Sequence, residues 1–166
     1  AITLLMTTRE YNICVDEYSD DIYRFILKNI RDSERSKDIV QDAYLKLWKK
    51  SSGVSFEKAR SYLFTTAYRI MIDQIRRIKV EIDYSARKSI GTHKTNEYFD
   101  LKEILDEAAS KLPEIQKSVL LLRDYEGYSY NEIGDICGLS ESQVKVYIYR
   151  ARLAMKSYIG SLERVI

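Results

Sequence analysis

Apolar residues recur at intervals of three and four along most of the chain. In EYSDDIYRFILKNI, Tyr18, Ile22, Phe25, Ile26 and Ile30 fall on one face, which predicts an amphipathic helix. SERSKDIVQDAYLKLWKK repeats the pattern with Ile39, Val40, Ala43, Leu47 and Trp48. A third helix, FEKARSYLFTTAYRIMIDQIRRIK, is expected from about Phe56 to Lys79 with Leu63, Phe64, Ala67, Ile70, Met71 and Ile75 inside. Thr65 and Thr66, weaker helix formers, mark a place where it can bend. These helices predict one bundle over residues 10–79.

The stripe fails from Val80 to about Asn96, where VEIDYSARKSIGTHKTN mixes charge, Ser, Thr and Gly, so residues 80–96 read as a flexible linker. It resumes in EYFDLKEILDEAASKL, whose inner side is Phe99, Ile104, Leu105 and Ala108. Pro113 opens the next helix, where a missing N–H costs nothing, and Gly127 follows its end. The fold class expected is all-α, two small helical bundles joined by the linker, the second over residues 97–162.

Two helix starts lie eleven residues apart in SYNEIGDICGLSESQVKVYIYRAR. Ser129 with Glu132 and Ser140 with Gln143 have capping-box spacing, and Gly138 can take the positive φ of the turn between them. This is a helix-turn-helix pattern, which plain helical hairpins share. In its second helix Val144, Ile148, Ala151 and Met155 share an inward face, leaving Ser142, Lys145, Val146, Tyr149 and Arg150 outside, where groove contact is possible. Arg150 and Arg152 flank Ala151 and leave the helix in different directions.

Net charge is only +2, but it is unevenly laid out. Residues 58–94 carry nine Lys/Arg against three Asp/Glu, residues 95–139 four against ten, and residues 140–166 five against two. Two basic segments separated by an acidic one suggest two places where a polyanion touches. With two distant cysteines, Cys14 and Cys137, and a single histidine, His93, no metal-ligand spacing exists; neither metal nor other cofactor is expected, and no catalytic residue stands out. The first residues are too short an apolar run for a signal or membrane span, so the chain reads as cytoplasmic and reduced, with no membrane insertion.

The stretch LPEIQKSVLLLRDYEGYSYNEIGDICGLSESQVKVYIYRARLAM resembles the promoter-binding domain of bacterial RNA polymerase sigma factors of the sigma-70 family. DIVQDAYLKLW resembles that family's polymerase-binding helix, and ARSYLFTTAYRIMIDQIRR its promoter-melting segment. Two matches in this order, on a chain of this length, are similar to the extracytoplasmic-function (ECF) group.

The resemblance implies a non-catalytic promoter-specificity subunit whose partners are core RNA polymerase, duplex promoter DNA, the melted single strand and an anti-sigma factor. Asp38, Gln41, Asp42 and Lys46 would contact polymerase, while Ile39, Val40, Leu45 and Leu47 pack the bundle. Lys58, Arg60, Arg69, Arg76 and Arg77 would follow phosphates at the downstream element, as would Lys79, with Tyr62, Phe64 and Tyr68 offering aromatic surface to unpaired bases. Tyr62 holds the family's usual tryptophan position, a packing role, and Arg69 stands where many members have asparagine. Ser142, Gln143, Lys145, Val146, Tyr149, Arg150 and Arg152 would meet the upstream element; Val146 and Tyr147 replace the common Ser-Arg pair, shifting recognition toward thymine methyls or DNA shape. The linker would run toward the polymerase active-site channel or serve as a tether. The competing reading is a one-component regulator with a sensing or dimerising first domain, which leaves the first domain's motifs without a role.

Overall fold

The computed structural model describes residues 6–85 and 101–163. Among them lie α1 (Thr8–Ile30), α2 (Ser33–Lys49), α3 (Ala59–Ser85), α4 (Leu101–Ser110), α5 (Glu114–Asp124), α6 (Tyr130–Cys137) and α7 (Glu141–Glu163), with a short 3-10 turn at Phe56–Lys58 and no strand. The chain is all-α, as the periodicity implies. Helix starts are set by side-chain caps. Thr7 and Glu10 form a reciprocal box before α1, and the Asp32 carboxylate accepts from the Arg35 amide at the head of α2.

In the first bundle α1, α2 and α3 bury Ile22, Phe25, Ile26, Ile39, Ala43, Leu47, Leu63, Phe64, Ala67 and Met71, matching the predicted stripes. Two α2 residues depart from expectation. Leu45 and Trp48, read as packing residues, are half exposed (50% and 49%), because Ile39, Ala43 and Leu47 already fill the inward face at spacings of four. Helix α3 also outruns its predicted end: Val80 to Ser85, read as the start of the linker, are helical. Met71, Ile75, Ile78 and Ile82 continue one face past Lys79 and line a groove with Ile30 and Ile39. The rest of the predicted linker, with His93, and the first residues of the predicted second bundle, with Phe99, lie outside the described residues.

The second bundle packs α5 against α6 and α7, with Val119, Leu121, Leu122, Ile133, Ile136, Val144 and Ile148 buried. Gly138 ends α6 at φ 72, the left-handed region where a side chain is strained. Gly134 answers a different need. A Cβ there would lie 2.6 Å from the Leu139 carbonyl oxygen, so only glycine lets the turn fold this closely over α6.

The two bundles share one hydrophobic cluster. Helix α6 packs on α3, and α4 and α5 pack on α1. Phe64 is the hinge of this contact, its ring centroid 5.7 Å from Phe25 within its own bundle and 5.3 Å from Tyr128 in the other. Around that centre Lys117 Nζ donates to the Asn29 carbonyl (2.8 Å) and Ser118 Oγ to Asn29 Oδ1 (3.0 Å). Burial lowers the Lys117 ammonium's pKa, with Glu114 opposing and Arg31 adding to the shift. Toward the rim, Lys28 pairs with Asp106 at 2.9 Å and Arg31 with Glu107 at 3.1 Å.

Two substitutions check this packing. Gly134→Ala should cost about 1–3 kcal/mol as an overpacked turn, seen as a lower urea midpoint at unchanged slope. Tyr128 has a buried hydroxyl with no hydrogen-bond partner among the described residues, so Tyr128→Phe should leave stability unchanged or raise it by about 1 kcal/mol in the same assay.

Candidate nucleic-acid and partner interfaces

The helix-turn-helix is built by its caps. Ser129 Oγ accepts from the Glu132 amide and Glu132 Oε2 from the Ser129 amide; Ser140 and Gln143 repeat the exchange at the head of α7. Gln143, expected near DNA backbone, therefore spends its carbonyl oxygen on the cap and keeps its amide donors. With Val144, Ile148 and Ala151 buried and Met155 half-buried, the expected outward face is the observed one: Ser142, Lys145, Val146, Tyr149 and Arg150 are exposed.

That face is chemically uneven. Val146 and Tyr149 leave apolar surface in water, 45% and 65% exposed, where surface residues need no such groups. Lys145 pairs with Glu141 at 3.4 Å, and Arg152 is drawn back to Asp124 of α5 at 2.6 Å, a hydrogen bond that raises its already high pKa. Arg152 thus braces α7 on α5. Arg150, exposed, pairs with no carboxylate among the described residues.

The basic-aromatic face of α3 divides in two. Lys58, in the 3-10 turn that leads into α3, and Arg69, Arg76 and Arg77 on α3 are exposed, and Lys79 pairs with Glu114 at 3.2 Å. Tyr62 is half-buried against the core. Phe64 and Tyr68, expected to offer rings to unpaired bases, are buried at 0% and 8% exposure, because the second bundle sits on them. Tyr68 lies beside Cys137 of α6, whose thiol is pushed up to about 12 by burial. Arg60, half-buried, donates to the Glu126 carbonyl at 3.2 Å and stacks over Tyr128. Arg24 clasps the Glu126 carboxylate through both oxygens, at 3.0 and 3.2 Å. Burial still lifts the Glu126 carboxyl above its ordinary range against the pull of Arg24 and Arg60. Neither Arg24 nor Glu126 was singled out in the sequence; they lie 102 residues apart, and no local pattern joins them.

On α2, Asp38, Gln41, Asp42 and Lys46 are all exposed, a polar strip open to a partner. Beside it runs an apolar groove with a volume of about 660 Å³ lined by Tyr11, Val15, Val40, Gln41, Leu45 and Trp48 among others. Leu45 and Trp48 are functional candidates that the sequence reading gave to packing, Trp48 by its place in the stripe and Leu45 beside the family motif. The signal was present: Gln41, Leu45 and Trp48 follow one another at spacings of four and three, on a different face from Ile39, Ala43 and Leu47.

No described helix is long and apolar enough to cross a membrane. A family model for Sigma-70 region 2 matches residues 14–80, and one for Sigma-70, region 4 matches residues 102–155. The chain is 30% identical over 149 residues to RNA polymerase sigma factor YlaC of Bacillus subtilis, covering 84% of this chain and 86% of that one. It is 27% identical over 146 residues to the ECF RNA polymerase sigma factor SigM of the same organism, covering 84% and 89%. Among solved structures, the sigma factor RpoE in its complex with the anti-sigma factor NepR from Bartonella quintana has the same fold, with a TM-score of 0.75 at 20% identity over 92% of this chain and 98% of that one. Two helical bundles, the second with a capped helix-turn-helix, together with these matches, place the chain in the sigma-70 family of bacterial RNA polymerase sigma factors, ECF group.

Proposed function

We propose that this chain is the promoter-specificity subunit of RNA polymerase: it binds core enzyme, reads a minus-ten and a minus-thirty-five element, and holds opened DNA while the polymerase supplies all chemistry. The observation that carries the reading is the outward face of α7. Ser142, Lys145, Val146, Tyr149 and Arg150 stand free of the bundle at the N-terminal half of a capped second helix, where a major groove accepts it. Exposed Val146 and Tyr149 favour contact with thymine methyls, and Arg150, which pairs with no carboxylate among the described residues, can reach a base edge or a phosphate.

The second element of the proposal is α2. Asp38, Gln41, Asp42 and Lys46 supply polar contacts to polymerase, and Leu45 and Trp48 supply the apolar anchor that a stable interface needs at its centre. Lys58, Arg69, Arg76 and Arg77 provide exposed positive charge for the downstream backbone, with Arg60, Phe64 and Tyr68 beneath the second bundle. Two modest readers on one polymerase platform bind a bipartite site better than either alone. An anti-sigma partner would act by holding these surfaces from their targets; the Bartonella sigma factor of the same fold is seen in complex with an anti-sigma factor.

Run-off transcription with core enzyme on a genomic promoter library tests the reading. Initiation dependent on the chain supports it, whereas tight operator binding without core enzyme would make the chain a one-component regulator. Arg150→Ala should weaken promoter binding about tenfold, the size of one base contact, and leave core association intact. Replacing Gln41 and Asp42 by alanine should weaken core association in a pull-down and leave α7's DNA contacts unchanged; equal loss of core binding by both variants would refute this division of roles.

A further inference from the structure

The part of the α3 face around Arg60, Phe64 and Tyr68, which the proposed function assigns to melted DNA, is already occupied. Glu126, Gly127 and Tyr128 form the turn between α5 and α6, with Gly127 at φ 74 so that the chain reverses tightly there. The Glu126 side chain, 2% exposed, takes the Arg24 guanidinium on both oxygens and lies 4.0 Å from Arg60. Arg60 lies 4.5 Å above the Tyr128 ring, and that ring meets Phe64 nearly edge-on, at 74°. An anion on two guanidinium groups beside a ring on an aromatic floor is the pattern a nucleotide presents, phosphate next to base.

We propose that the Glu126-Gly127-Tyr128 turn is an internal competitor for single-stranded nucleic acid, its carboxylate standing where a phosphate would lie and its phenol ring where a base would stack. The free chain thereby keeps its own melting face shut. This rests on the assignment of α3 to melted DNA and adds a regulation to it. A second observation agrees. Four carboxylates that tie the bundles together, Asp106, Glu107, Glu114 and Glu126, come from the acidic segment 95–139 with its four Lys/Arg against ten Asp/Glu. The cations they meet, Arg24, Lys28, Arg31, Arg60 and Lys79, all belong to the first bundle. The acidic segment therefore fills the role of a polyanion within the chain. Lys28–Asp106 and Arg31–Glu107 reach the surface and are open to salt, so the closure is of a kind that a competing ligand can reverse.

Cys137 supplies the readout, because it lies under the closed face against Tyr68 while Cys14 is fully buried in the first bundle. The experiment uses the full chain and two measurements. One is fluorescence anisotropy with a short fluorescein-labelled single-stranded DNA of mixed sequence. The other is site-resolved alkylation of Cys137 by N-ethylmaleimide, followed by mass spectrometry. Glu126→Ala should bind the oligonucleotide about tenfold more tightly than wild type, the scale of one base-stacking contact, with a parallel rise in Cys137 alkylation. Adding the oligonucleotide to wild type should also speed Cys137 alkylation.

The double variant Asp106→Lys, Glu107→Lys repels Lys28 and Arg31 without touching the turn or α3, and should move both readouts in the same direction. It decides the matter alone if circular dichroism shows Glu126→Ala unfolded. Faster alkylation with unchanged DNA affinity would overturn the competition. So would a wild-type Cys137 as reactive as an exposed thiol, or two variants that move neither readout. Core-dependent run-off by the wild-type chain is scored separately, so initiation without this competition would leave the promoter assignment standing and remove only the internal competitor.

Discussion

A carboxylate withdrawn from water is costly unless cations meet it, and the cations that meet Glu126 sit on the other bundle. That one constraint fixes how the halves of the molecule meet. Once the bundles close, Glu126 is satisfied only in the register that lays its turn on Arg24 and Arg60, and the same approach brings Tyr128 onto Phe64 and Arg60. Separation would return Glu126 and Arg24 to water at little electrostatic loss but would expose Phe64, Tyr68 and Tyr128 together. The aromatic burial therefore drives the closure and the ion pair fixes its register, since a shifted turn would leave a buried charge unpaired.

The closure sorts the functional faces. The α2 strip and the outward side of α7 remain in water, while the aromatic part of α3 does not. On the proposed reading, a partner can dock on Gln41, Leu45 and Trp48 without disturbing the interface, and opening is a separate step. A ligand shifts such an equilibrium only by the difference in its affinity for the two states. Binding that needs Arg60, Phe64 or Tyr68 free must offset the contacts those residues make with Glu126 and Tyr128, whereas docking on α2 need not.

Local structure was legible in the sequence wherever one signal had one cause. The capping pairs Ser129–Glu132 and Ser140–Gln143, the Gly138 turn and the buried stripe Val144, Ile148 and Ala151 follow from spacing alone. Errors arose where a stripe served two faces. Trp48 is apolar, so periodicity counted it with the core, although it lies with Leu45 on the Gln41 side of α2. Tyr68 failed differently: its burial depends on a surface more than fifty residues away in sequence, which no window along one helix contains, while Phe64, placed inside by its stripe, is buried as periodicity implies and has no ring surface to offer. The charge pattern was visible, but its partner was not. Of the basic segment at 58–94, Arg60 and Lys79 meet the chain's own Glu126 and Glu114, which segment charges alone do not reveal, while Lys58, Arg69, Arg76 and Arg77 stay exposed.

The account stands on the two bundles forming one body in the free chain, held at Glu126 and Phe64. Small-angle X-ray scattering of the dilute wild-type protein tests this most directly. One compact body of this length has a radius of gyration of about 15 Å, and the account predicts a value near it. Two bundles standing about a diameter apart would give about 20 Å or more, and that result would contradict the closed arrangement.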